Sequence, residues 1–182
     1  VAQALPNYDF HMSLGITQDT AVGTYDRWQY LAMLEGTSKP INITAVDLEG
    51  VRDQLEMAHI RVGGREEWKK GPIFSLYIEP VSPLSHSEEV VQKLIFAADN
   101  DIPFVYTPCP LAGGTAPTTL AGLMVQALTE SLFGIVISQI RKPGAQIIIG
   151  GLMSNMDMQS TIYCYGSPEM ALTTVFGVCF LG

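Results

Sequence analysis

The sequence predicts an α/β fold built on a parallel sheet, and three observations carry that expectation. Short apolar runs at residues 8–13, 41–46, 73–78, 104–107 and 146–150 begin roughly thirty residues apart, with one longer step. That spacing accommodates one strand, one helix and two loops. The runs are apolar at consecutive positions, as expected of parallel strands covered on both faces. Helical patterns fill the segments between them, and strict βαβα alternation means a parallel sheet.

The elements follow in order. Residues 49–62 carry Val51, Leu55, Ala58, Ile60 and Val62, and the Gly63-Gly64 pair can terminate this helix. The mixed-sign run from Arg65 to Lys70 reads as a solvated helix end and turn. Ser85 followed by Glu88 forms a candidate capping box for a helix over 88–98. In that helix Val90, Val91, Leu94, Ile95 and Ala98 make an apolar stripe. Pro117 stands where a first helical residue would, ahead of a long apolar segment at 120–140. Gln126, Thr129, Glu130, Ser131 and Gln139 interrupt that segment, which suits a buried helix better than a membrane span. Lys142, Pro143 and Gly144 then break the chain before the fifth strand.

Two parallel architectures fit this order, the closed barrel and the doubly wound sheet. A dinucleotide-binding sheet would want GxGxxG between strand and helix, and neither Gly113-Gly114 nor Gly150-Gly151 supplies it. The expectation is therefore an incomplete (β/α)8 TIM barrel of about five to six β/α units. It forms a single partial domain over residues 1–182, truncated at both ends, because the chain starts at Val1 and stops inside the apolar run 171–181.

Bulk properties exclude several functions. Hydrophobic residues make up 47% and charged residues 15% of 182, which argues against disorder. A net charge of -8 offers no basic cluster for phosphates, so nucleic acid is not an expected partner. Cys109, Cys164 and Cys179 are odd in number and lack metal-site spacing, which fits a reducing cytoplasm rather than a disulfide framework. No basic start and long apolar run mark a signal peptide at the beginning. His11, His59 and His86 form no metal constellation, and GxSxG, P-loop and HExxH motifs are absent.

In a barrel, functional groups sit at the C-terminal ends of strands and on the loops beyond them. That selects Ser13, Asp47, Glu79, Tyr106, Cys109, Gly113, Gly114, Met153 and Asp157, with Tyr163 and Glu169 on the long connection after the fifth strand. Asp47 reads equally well as a helix cap. Cys109, between two prolines and without a motif to supply a base, reads as a buried structural thiol. The glycine turn at 110–117 is the most distinctive segment. Its backbone could approach a ligand closely, beside free N–H groups of the following helix. Tyr106, Tyr163 and Tyr165 gather near the proposed mouth, and aromatic faces with a carboxylate suit a methylated ammonium.

These residues also carry a resemblance. PLAGGTAPTTLAG at 110–122, SLYIEPVSPL at 75–84, QIRKPG at 139–144, MDM at 156–158, GSPE at 166–169 and DFHMSLG at 9–15 resemble segments of the trimethylamine methyltransferase family. The resemblance implies a barrel whose mouth receives a small methylated amine, trimethylamine or a betaine, and docks a corrinoid-binding protein. It further implies methyl transfer to the cobalt of cobalamin presented by that partner, with no cofactor bound by the chain itself. Glu79, Tyr106, Gly113, Gly114 and Thr115 would then shape the cavity, beside Tyr163. Asp157 and Glu169 would favour the cationic substrate or organise loops. In trimethylamine-specific members a pyrrolysine falls beyond the region represented here, and glycine betaine methyltransferases are relatives without it.

Other readings remain at this stage. A Schiff-base aldolase or lyase needs a lysine at a strand's C-terminal end, and Lys39, Lys69, Lys70, Lys93 and Lys142 do not stand there. A non-catalytic binder of quaternary or tertiary amines, and an inactive structural fragment, fit the same residues. Exposed sheet edges could drive homo-oligomers.

Overall fold

The computed structural model describes residues 2–181. Five strands form one wholly parallel sheet: β1 (His11–Met12), β2 (Ile41–Ile43), β3 (Phe74–Ile78), β4 (Phe104–Tyr106) and β6 (Ile147–Ile149). They lie side by side in chain order, His11 beside Ile41, Ile41 beside Phe74, Leu76 beside Phe104 and Phe104 beside Ile147. The sheet is not closed; β1 and β6 are its edges. A second, two-stranded parallel sheet pairs β5 (Leu111–Ala112) with β7 (Ser154–Asn155). Each of the five expected apolar runs contains one strand of the larger sheet.

The helices are α1 (Tyr25–Gly36), α2 (Leu48–Val62), α3 (Arg65–Lys70), α4 (Glu88–Asp99), α5 (Leu120–Arg141) and α6 (Pro168–Leu181), after a short 3-10 turn at Ala2–Ala4. Local chemistry accounts for several of their ends. Asp47 caps α2 by accepting from the Gly50 amide at 2.7 Å, and Gly63 closes it in the left-handed region at φ 95°. The run 65–70 is a helix of its own, α3. Its charges pair on the surface while Trp68 is buried against Phe74, ring centroids 4.8 Å apart.

Two expected starts shift. The cap of α4 is Ser87, which accepts from the Val90 amide at 3.3 Å, whereas Ser85 is engaged in a backbone bridge with Val81. The long helix begins at Leu120, capped by Thr119, so Pro117 lies before it. In both cases a hydroxyl nearer the apolar stripe takes the amide of the first turn.

The core occupies one face of the large sheet. Ile41, Ile43, Phe74, Leu76, Ile78, Phe104 and Tyr106 pack there against Tyr30, Val51, Leu55, Ala58, Trp68, Leu94 and Ala97. The opposite face carries Asn42, Ser75, Tyr77, Val105 and Ile148, and Ile148 is 56% exposed. The expectation of cover on both faces is thus corrected: the strands of this chain alternate, and its helices cover one side.

The reading of 120–140 as a buried helix is corrected in the same way. Leu123, Ala127, Glu130, Ser131, Gly134 and Ser138 are buried, but Val125, Leu128, Leu132, Val136 and Ile140 are exposed along the outer side. By length and composition alone α5 could cross a membrane. Its buried side, however, carries the Glu130 carboxylate, bonded to the β3–α4 loop, and the Ser131 hydroxyl, which donates to the Gly150 carbonyl at 3.3 Å, while the buried Ser138 hydroxyl donates within the helix. Gly134 lets it lie close to the sheet, since a β-carbon there would stand 2.5 Å from Cδ1 of Tyr106. The side chain of Cys179 lies outside the described ones.

Candidate functional site

At the C-terminal ends of β3 and β4, three side chains converge on the uncovered side of the sheet. Tyr77 points from β3 to that side, and its hydroxyl donates to Oε2 of Glu79 at 3.1 Å. The same hydroxyl lies 3.9 Å from the Cys109 thiol, which follows β4 between two prolines. Pro80, buried, follows Glu79 and turns the chain away, leaving the carboxylate exposed.

Tyr163 approaches from the connection after β6. Its hydroxyl donates to the Leu152 carbonyl at 2.9 Å, and its ring meets that of Tyr165 at 4.6 Å and 43°. Burial, then the negative charge available at Cys109, Tyr165 and Glu79, holds the Tyr163 hydroxyl above its ordinary range.

The electrostatics of the group are coherent. Burial, reinforced by the Glu79 charge and hydrogen bond, pushes the Cys109 thiol up to about 12. It therefore stays protonated near neutrality and reacts slowly there. Tyr77 is also held above its ordinary range, chiefly by burial and then by Cys109 and Glu79. A single carboxylate among neutral hydroxyl, thiol and ring groups suits a cation of low hydration better than an anion.

The remaining predicted residues fall elsewhere. Tyr106 is 0% exposed and lies on the helix side, 2.6 Å from Nδ1 of His86, whose ring stacks on Phe133 at 3.6 Å. One residue of register decides this, since Tyr106 aligns with Ile78 and not with Tyr77.

Gly113, Gly114 and Thr115 form a turn closed on itself. The amides of Gly114, Thr115 and Ala116 donate to the Leu111 carbonyl at 2.9–3.0 Å, and that of Gly113 to Ala116. Gly113 requires its glycine at φ 84°. With these amides engaged internally, the turn does not offer them to a ligand. It carries the cysteine-bearing segment instead.

Asp157 is exposed and organises its own turn, accepting from the Ser160 amide at 3.0 Å and from the Ser160 hydroxyl. Those bonds hold its carboxyl below the usual range. Glu169 stands in the first turn of α6, its carbonyl accepting from Thr173. Of the eight predicted site residues the structure brings together Glu79 and Tyr163. Ser13 and Met153 lie outside the cluster, Met153 being buried beside α5.

Sequence reasoning missed Tyr77 and Glu130. Tyr77 was concealed inside an unbroken apolar run, where alternation from Ser75 to Glu79 was the available signal. Glu130, 0% exposed, accepts from the Ser82 hydroxyl at 2.7 Å, the Leu84 amide at 2.9 Å and Gln126 at 3.0 Å. It had registered only as an interruption of an apolar segment. Lys93 does not stand at a strand end in the sequence. Its amine donates to the carbonyls of Ala45 and Val46 just beyond β2, at 2.8 and 3.1 Å, and meets Glu89 at 2.6 Å.

Fold and site thus define a class: a singly wound parallel α/β protein with a carboxylate and aromatic cluster at the C-terminal edge of its sheet. Residues 10–178 match the model of the family described as trimethylamine methyltransferase (MTTB). The chain belongs to the trimethylamine methyltransferase family. It is similar to the trimethylamine methyltransferase MttB of Methanosarcina barkeri, 33% identical over 151 residues, covering 82% of this chain and 30% of that protein. It is likewise similar to MttB of Desulfitobacterium hafniense, at 29% over 164 residues, 90% of this chain and 31% of that one. A glycine betaine methyltransferase of Desulfitobacterium hafniense is 29% identical over 167 residues, 90% of this chain and 35% of the relative. The chain spans about a third of the length of these relatives.

Proposed function

We propose that this chain is a sector of a (β/α)8-barrel enzyme that transfers a methyl group from a methylated amine, trimethylamine or a betaine, to a corrinoid protein. The observation that carries this reading is the Tyr77, Glu79, Cys109 and Tyr163 cluster at the strand ends of a member of this family. Strand order without reversal supports the barrel sector, because a barrel winds in one direction whereas a doubly wound sheet reverses. Relatives named for trimethylamine and for glycine betaine support the substrate class in equal measure.

The corrinoid would be the methyl acceptor, brought by a partner. On the chain itself His86 is engaged with Tyr106 and Phe133, and His59 packs edge-on to Trp68. Among the described residues no group of three or more His, Cys, Asp or Glu side chains could hold a metal ion.

The chain's residues then have binding tasks. Glu79 offsets the ammonium charge, and the rings of Tyr163 and Tyr165 face a cation whose methyl groups spread its charge. The Tyr77 hydroxyl fixes the Glu79 rotamer through the 3.1 Å bond. Holding the N–CH3 carbon in line with its acceptor, with water excluded, is the contribution that positioning makes to such a transfer.

The test is Glu79→Gln in the full-length protein, with methyl transfer to the corrinoid protein followed for trimethylamine and for glycine betaine. A loss of at least about tenfold in kcat/KM for one amine is expected, the scale of one charged contact to a cation. Unchanged transfer with both amines would remove Glu79 from the site. Calorimetric betaine binding without turnover would replace the enzyme reading by that of an amine-binding protein.

A further inference from the structure

The β3–α4 loop, which carries Glu79 at its start, and the glycine turn after β4 are joined through two side chains one turn apart on α5. Glu130 holds the first: Oε2 accepts from the Ser82 hydroxyl at 2.7 Å and Oε1 from the Leu84 amide at 2.9 Å. Gln126 holds the second. Its Nε2 donates to the Thr115 carbonyl at 2.8 Å and to Oε1 of Glu130 at 3.0 Å. Each loop is also folded locally, by the Val81–Ser85 bridge on one side and by the amides gathered on the Leu111 carbonyl on the other. Beyond the pairing of β3 with β4, the Gln126–Glu130 pair ties one loop to the other.

We propose that Glu130, acting with Gln126, is a positioning residue: by tying the β3–α4 loop to the glycine turn it sets Glu79 against Tyr77 at the end of β3 and against Cys109 on the segment that leads into that turn. The inference rests on the reading of Glu79 as part of the substrate site, and goes beyond it by naming what holds Glu79 in place. A buried carboxylate with three donors is an expensive feature unless every partner stays in register, and all three partners here belong to loop segments or to the pair itself. The same device recurs one unit earlier. Asp26 on α1 accepts from the Val46 amide at 3.0 Å, and Lys93 on α4 donates to the Ala45 and Val46 carbonyls. Charged groups carried by helices thus fix successive strand-end loops of this sheet.

The Cys109 thiol reports the geometry without any need for catalysis. Tyr77, Glu79 and Tyr163 are the titratable groups that interact with it, and Glu79 raises it. Displacing Glu79 removes a charge and a hydrogen bond that, after burial, hold the thiol protonated, and so lowers the pH at which it reacts and speeds its alkylation below that pH. Iodoacetamide alkylation, followed at Cys109 and at Cys164 by peptide mapping over pH 7 to about 11, reads both effects in this chain and in the full-length protein. Cys164 lies outside the clamp and serves as internal standard.

Glu130→Leu, similar in size but unable to accept, is expected to accelerate Cys109 labelling roughly tenfold and move its pH profile down, with Cys164 unchanged. Glu130→Gln is expected to restore most of the protection. Its carbonyl oxygen can accept from Leu84 and Gln126 while its amide donates to the Ser82 oxygen. Unchanged Cys109 labelling in a folded Glu130→Leu chain would overturn the proposal. If Glu130→Leu accelerates both cysteines through unfolding, Ser82→Ala decides: selective acceleration at Cys109 supports the clamp, and none refutes it. Labelling is independent of methyl transfer, so failure of the clamp and failure of the Glu79 assignment give different results.

Discussion

The two faces of the large sheet are made by the same strands yet obey different chemistry. Toward the helices stand Phe74, Leu76 and Ile78, all nearly inaccessible; toward the open side stand Ser75 and Tyr77, with Glu79 next in phase. Asn42 and Ser75 pair across β2 and β3 at 3.1 Å on the open side, where an all-apolar layer would have no use for the bond. The difference teaches that the core and the candidate site are separated by strand alternation alone. Residues one position apart contribute to folding or to the site, seldom to both.

The largest expected effect breaks the comparison on its stable side. Leu76→Ala removes a side chain at 0% exposure from the centre of the core and should cost about 2–5 kcal/mol, measured by urea unfolding. Val105→Ala, its counterpart on the open side, should cost under about 1 kcal/mol in the same assay. Equal costs would mean that the open side is covered in solution.

Next comes Gly134→Ala. A β-carbon there would meet the Tyr106 ring at 2.5 Å, so α5 must shift outward, at about 1–3 kcal/mol despite the better helix propensity of alanine. A thermal midpoint equal to or above the parent's would count against the close approach.

The smallest effect concerns pH. Burial lowers His86 below its ordinary value of 6.5, against the opposing pull of Glu130, so the folded chain favours the neutral imidazole. The unfolded chain therefore binds the proton more readily. The stability linked to His86 is fully present above about 6.5 and declines as pH falls below it. His86→Gln should flatten that part of the unfolding midpoint profile between about pH 5 and 7 relative to the parent. A superimposable profile would show that His86 takes no part in acid sensitivity.

Much of the fold was legible because its determinants are local. Five apolar runs marked five strands, Gly63 ended α2 where expected, and Glu88 opened α4. The site was legible only in part. Glu79 stood out because a carboxylate before proline ends an apolar run, and Tyr163 because it lies on the long connection after the fifth strand. Tyr106 was drawn to the same place by its position at a strand end, yet its register turns it to the helices. The glycine turn was conspicuous in composition, but its amides are absorbed by the Leu111 carbonyl, a matter of backbone torsion that composition does not encode.

By itself, then, the sequence determined the βα alternation, the parallel sheet and the family, because spacing, capping residues and long motif runs act through neighbours along the chain. Tertiary structure alone decided which face each strand buries, that the five strands leave an open sheet, and that Glu130 reaches loop residues 46 and 48 positions away. Register and helix approach set those contacts, and they depend on the packing of the whole core rather than on any local run of residues.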